Sequence, residues 1–146
     1  LFSIDNGTHI CRTYAVVRFA DQLDARYGEA HAKVLAGNSI GAIFRSHGWN
    51  VHKQTLHIGT LRLPAQNQSI SALMHISGPR DLALHVYQLL LVRDEQVFDY
   101  ATILEIHHPD YLSELDLYEL YEYDTPNAVS PAEARDYAAL ALGDSH

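Results

Sequence analysis

Between positions 99 and 112 the chain reads DYATILEIHHPDYL, an apolar run that carries Glu105 and His107 two apart just before Pro109. A carboxylate and an imidazole on one side of a strand can bind a ligand's hydroxyl or amine, or move a proton as general base and acid. Alternate residues of a strand share a face, so Ala101, Ile103, Glu105 and His107 form one side and Tyr100, Thr102, Leu104 and Ile106 the other. Pro109 lacks a backbone donor and ends the pairing, which leaves both polar groups at the strand's end. Glu105 is expected to be partly buried, to face a cavity, and to be satisfied there by Arg12 or Arg18. His108 points the other way and is expected to matter less.

A second set of candidates lies upstream. In CRTYAVVRF (11–19) the residues Arg12, Tyr14, Val16 and Arg18 share a strand face. In ARYGEAHAKVL (25–35), read as the returning strand of a hairpin, Tyr27, Glu29, His31 and Lys33 do the same. If these faces meet that of Glu105, then Arg12, Tyr14, Arg18, Glu29, His31, Glu105 and His107 line one pocket. Such a pocket suits a small anionic ligand, with arginine forking onto a carboxylate or phosphate. The competing reading is a solvated face of cross-strand charge pairs, each worth less than about 1 kcal/mol.

Two other patterns carry less. GNSIG (37–41) matches the G-x-S-x-G of a hydrolase nucleophile elbow, but that fold needs a parallel sheet of βαβ units, and this chain reads as hairpins. Ser39 is better explained as the N-cap of a helix from Ile40 that Gly48 closes. The chain has ten histidines. His47, His52 and His57 are five apart, which fits neither a helix face nor a strand face, and adjacent His107 and His108 point to opposite sides. No metal and no cofactor are expected.

The elements that must position these residues follow from the pattern. Strands are expected over 11–19, 25–35, 50–63, 82–92 and 96–108, with short helices after Ser39 and over 69–77. The last two strands bracket the turn RDE as a second long hairpin. A loose helix over 112–123 and a cleaner one over 131–142, with Ser130, Pro131 and Glu133 at its start, follow. The expected class is α+β: an antiparallel sheet of two long hairpins plus a middle strand, helices packed on one face, and two C-terminal helices appended. Residues 1–112 form the sheet domain, and 113–146 an acidic helical extension packed on it.

The chain has 146 residues and a net charge of −8, enough for one domain. From Ser113 onward eight acids face Arg135 alone, and such an end repels phosphate, so no nucleic acid is expected to bind this chain by itself. No apolar run approaches the roughly 20 residues of a membrane span, and no signal-peptide pattern opens the sequence. Cys11 is the only cysteine, as suits a reducing, cytoplasmic setting. The first residue is Leu1, as in a piece of a longer protein.

The segments FADQLDARYGEAH, SIGAIFRSHG and TILEIHHPDYL together resemble the superfamily of chorismate lyase and the UTRA domain, the effector-binding half of GntR-type regulators of the histidine-utilisation subfamily. The likeness covers about residues 10–112. It implies an α+β fold, a homodimer, a small-molecule ligand and no cofactor. It places Glu105 on the lyase's catalytic glutamate and Arg12 within a residue or two of its first substrate-binding arginine. The second arginine falls on Glu29, a charge reversal. The helix and strand that precede the first hairpin in both families are not evident, nor is a winged-helix segment. The resemblance implies an effector-sensing domain for a carboxylate- or phosphate-bearing metabolite. Its alternative is a cofactor-free lyase that eliminates pyruvate, with Glu105 as acid and base.

Overall fold

The computed structural model describes residues 2–5, 8–63, 68–76 and 80–121. The helix expected over 131–142 lies outside the described residues. In chain order the elements are β1 (Phe2–Asp5), β2 (Thr8–Cys11), β3 (Thr13–Phe19), a 3-10 turn (Ala25–Tyr27), α1 (Gly28–Leu35), α2 (Ile40–Ser46), β4 (Asn50–Leu63), α3 (Gln68–Met74), β5 (Arg80–Arg93), β6 (Gln96–His107) and α4 (Glu114–Leu120). The class is α+β. β1 and β2, to which the sequence pattern alone assigns nothing, pair antiparallel with Phe2 opposite Cys11. The other four strands form a sheet in the order β3-β6-β5-β4. β3 and β6 run antiparallel in one register, since the Ala20 N–H donates to the Tyr100 carbonyl and the His108 N–H to the Arg12 carbonyl. No helix among the described residues is long and apolar enough to cross a membrane.

Asp94 and Glu95 turn β5 into β6 with φ of 52° and 62°. A two-residue hairpin turn with both φ positive matches the twist of the strands, and Asn-Gly is its usual occupant. Glu95 holds this conformation against its own Cβ, at a cost of about 1 kcal/mol. Glu95→Gly is expected to stabilise the protein by about 0.5 kcal/mol once glycine's greater freedom in the unfolded chain is subtracted. The check is a urea midpoint that rises at unchanged slope.

The described residues divide into two compact units, one drawn from 1–16, 55–87 and 103–146, the other from 17–54 and 88–102. In the first unit, Leu82, Leu84 and Val86 of β5 and Leu104 and Ile106 of β6 meet Ile70 and Met74 of α3, with Tyr14 and Val16 of β3 against them. The intervening residues build the opposite face, where Ala83 and Ile58 lie under Leu117 of α4. In this unit α3 and α4, the first of the two expected C-terminal helices, pack on opposite faces of the strands. β4 changes phase within it. Leu56 and Leu61, an odd number apart, both join the α3 side, while Thr55 and Ile58 take the α4 side, which requires a β-bulge.

Ser113 starts α4 with a capping box. Its hydroxyl accepts from the Asp116 amide at 3.2 Å, and the Asp116 carboxylate accepts from the Ser113 N–H at 2.8 Å. The Ser113 N–H, and after it the Ser113 hydroxyl, hold the Asp116 carboxyl below its ordinary pKa. The Tyr118 hydroxyl donates to the Ile58 carbonyl at 3.2 Å and ties the helix to β4.

The second unit corrects the first expected hairpin. Residues 25–35 are helical, not a returning strand. Asp24 accepts from the Arg26 N–H at 2.8 Å and caps the turn. GEAHAKVL then supplies good helix formers, with Glu29 and Lys33 paired four apart at 4.0 Å. The two-residue spacing of Tyr27, Glu29, His31 and Lys33 is thus not a strand face. Tyr27 instead anchors an aromatic core, edge-on to Phe44, Trp49, Phe98 and Tyr100 with ring centres 5.6–6.1 Å away. The Arg93 guanidinium lies 3.8 Å from the centre of the Trp49 ring and donates to the His47 carbonyl. Ser39 occupies the N-cap of α2, but its side chain makes no cap bond, so the roughly 1 kcal/mol that such a bond brings is not drawn from it. Gly48, at φ 84°, follows the end of α2 as expected.

Candidate functional site

Leu104 and Ile106 of β6 enter the core beside α3, which sends Glu105 and His107 to the α4 side. Both are largely enclosed, with side-chain exposures of 18% and 9%. The Tyr87 hydroxyl donates to Glu105 Oε1 at 2.7 Å. His107 Nε2 stands 3.4 Å from Glu105 Oε2, within electrostatic reach but not aligned as a hydrogen bond. His107 Nδ1 lies 3.0 Å from Thr13 Oγ1. On the neighbouring strand His85 packs its ring 4.8 Å from Tyr87 and 4.4 Å from Tyr121, and its Nε2 lies 3.0 Å from Thr55 Oγ1. Polar side chains from β4, β5, β6 and β3 thus cross one sheet face in a row.

Burial raises the Tyr87 pKa, and the charge and hydrogen bond of Glu105 raise it further, with a smaller push from Tyr121. Tyr87 is therefore a phenol at any ordinary pH and can only donate toward Glu105. That bond engages one carboxylate oxygen, and the other lies 3.4 Å from His107 Nε2. A carboxylate steered in this way can accept hydrogens from a ligand's hydroxyl or ammonium group, and the imidazole beside it can donate or take up a proton.

The other expected site residues are placed differently. In the first unit, Tyr14 packs on the α3 side, away from Glu105. Arg12 stands exposed at the junction of β2 and β3, its guanidinium 5.2 Å from the centre of the Tyr111 ring. In the second unit, Arg18 is exposed on β3, Glu29 is exposed on α1 beside Lys33, and His31 Nδ1 lies 2.6 Å from the Tyr100 hydroxyl. The expected grouping of all seven assumed a hairpin that does not form. Of the seven, Glu105 and His107 are brought together, and Tyr87, Thr13 and His85 join them. Among the described residues no three histidine, cysteine or acidic side chains converge as a metal site.

Sequence spacing gave little access to Tyr87. A two-residue turn at 94–95 aligns Arg93 with Gln96, and counting outward puts Tyr87 opposite Thr102, on the face of the even-numbered residues of β6. Its bond to Glu105, odd to odd, needs a one-residue slip along the hairpin. The available signal was His85 and Tyr87 two apart within the apolar LALHVYQLLLV, the same spacing as Glu105 and His107.

No family model, curated protein or solved structure matches the chain.

Proposed function

We propose that this chain is a small-molecule binding module of the UTRA kind, with Glu105, His107 and Tyr87 as the polar floor of its ligand site. The observation that carries the reading is the enclosed Glu105 carboxylate, set between a phenol that donates to it at 2.7 Å and an imidazole 3.4 Å away. The ligand class is a small metabolite that offers hydroxyl or amine hydrogens to Glu105. A carboxylate or phosphate on the same ligand is met by His107. In this reading the chain works as a cytoplasmic homodimer. The lyase alternative is less favoured. It needs cations for two substrate carboxylates beside Glu105, whereas Arg12 stands over Tyr111 and Glu29 has replaced the second arginine.

A thermal-shift panel of amino sugars, hydroxy acids and sugar phosphates tests the proposal. A ligand at 100 times its dissociation constant adds about 2.7 kcal/mol to stability, well within detection. Glu105→Gln keeps an acceptor for Tyr87 and is expected to keep the melting temperature of the free protein while abolishing the ligand-induced rise. An equal rise in the Glu105→Gln protein would reject the assignment.

A further inference from the structure

Where β3 ends, the edge of β6 opposite β5 loses its partner strand. The last bond between them runs from the Ala20 N–H to the Tyr100 carbonyl, after which the chain turns away through residues 21–24 to the Asp24 cap. Backbone groups of alternate strand residues point to the same edge, so the N–H and C=O of Phe98 face the side that β3 has vacated. Among the described residues, the departing segment 21–24 makes no backbone hydrogen bond to Phe98. The space is an open groove of about 550 Å³, lined on its loop side by Gln22, Leu23 and Asp24 and on its strand side by Val97, Phe98 and Asp99. Tyr27 closes the helix side.

An exposed donor and acceptor on a strand edge are a template for another strand. The surroundings select which one. Val97 is 61% exposed, an apolar side chain in water at the groove's wall. Asp24 and Asp99 line the groove, and the cation beside them, Arg26, is engaged by Asp24 at 3.3 Å, by Gln96 and by the face of the Phe98 ring at 5.1 Å, which leaves Asp99 as the unbalanced charge. The rim is therefore acidic. A second copy of a chain with net charge −8 meets repulsion here, and a basic segment meets attraction. The side chain of an added residue opposite Phe98 falls on the helix side, beside Tyr27 and Leu23. Its neighbour opposite Asp99 falls on the other face, beside that carboxylate.

We infer that this groove takes a short extended peptide, which adds a strand to β6 at Phe98 and places an apolar residue toward Tyr27 with a lysine or arginine next to it against Asp99. The site is independent of Glu105 and its partners.

The test uses the full chain and a capped pentapeptide with a central valine flanked by lysine, followed by backbone amide NMR and hydrogen exchange. The Phe98 amide is expected to exchange freely without peptide and to be slowed about tenfold or more at saturation, with shift changes centred on residues 97–99. Replacing the lysine with glutamate, or N-methylating the valine amide, is expected to weaken binding at least fivefold. Asp99→Asn is expected to reduce affinity for the lysine peptide severalfold at an unchanged melting temperature. A Phe98 amide already protected in the free protein overturns the inference. So does binding that ignores N-methylation, shift changes centred on β4, or no binding of the lysine peptide.

Discussion

Tyr27→Ala is expected to destabilise the protein by about 3–5 kcal/mol, the range for emptying a large aromatic site in a packed core. The side chain is 2% exposed, and four rings, from Phe44, Trp49, Phe98 and Tyr100, lean edge-on against it. Phe44 is held by α2, Phe98 and Tyr100 by β6, and Trp49 is capped by Arg93, so the rings cannot close over the vacated volume without moving whole elements. Tyr100 shares in the effect. Burial, with a smaller push from Tyr27, raises its pKa to about 12, and opening the core returns it toward the ordinary value. Urea unfolding measures the loss, and alkaline titration of tyrosine absorbance measures the relaxation of Tyr100. Tyr27→Phe keeps the ring and should cost under about 1.5 kcal/mol. Equal losses from the two variants would refute the packing account.

His108→Ala is expected to cost about 2–4 kcal/mol, a large effect for a residue the sequence pattern sets aside. The ring is 5% exposed. Its Nε2 lies 2.9 Å from the Met74 carbonyl, and its Nδ1 accepts from the Asp110 N–H at 3.1 Å. One proton on Nε2 satisfies both partners, so the neutral ring in that tautomer fits the site. Alanine leaves the Met74 carbonyl at the end of α3 and the Asp110 N–H beyond β6 without their partner, and opens a void between them. His108→Gln can supply one of the two bonds at most and should recover part of the loss. A melting temperature within 2 °C or so of the wild type for His108→Ala would show that water replaces the ring.

The long β-branched and apolar runs with a breaker or a tight turn beside them were legible. The span 50–63 stops where Pro64 begins, and the hairpin after residue 80 follows from its turn. Residues 25–35 were not. Tyr27, Glu29, His31 and Lys33 alternate as a strand would, yet Glu29 and Lys33 also sit four apart, and alanine at 30 and 32 favours the helix. Period two and period four coincide at every second position, so eleven residues could not separate them. The site was half legible for a similar reason. Glu105 and His107 lie on one strand and two-residue spacing fixes their shared face. Tyr87 reaches them across a slipped ladder, and Thr13 comes from 94 residues away. Slips and long-range pairings leave no local trace in a single sequence.

Trp49 gives the second unit an optical handle of its own. It is the only tryptophan in the chain, 3% exposed, capped by the Arg93 guanidinium and edge-on to Tyr27 and Phe98. Its emission is therefore set by residues 17–54 and 88–102, while the far-ultraviolet dichroism of the chain sums over both units. A single cooperative transition superimposes the two signals, and separate transitions pull them apart. One indole thus lets an unlabelled sample report whether the two halves of the molecule melt as one.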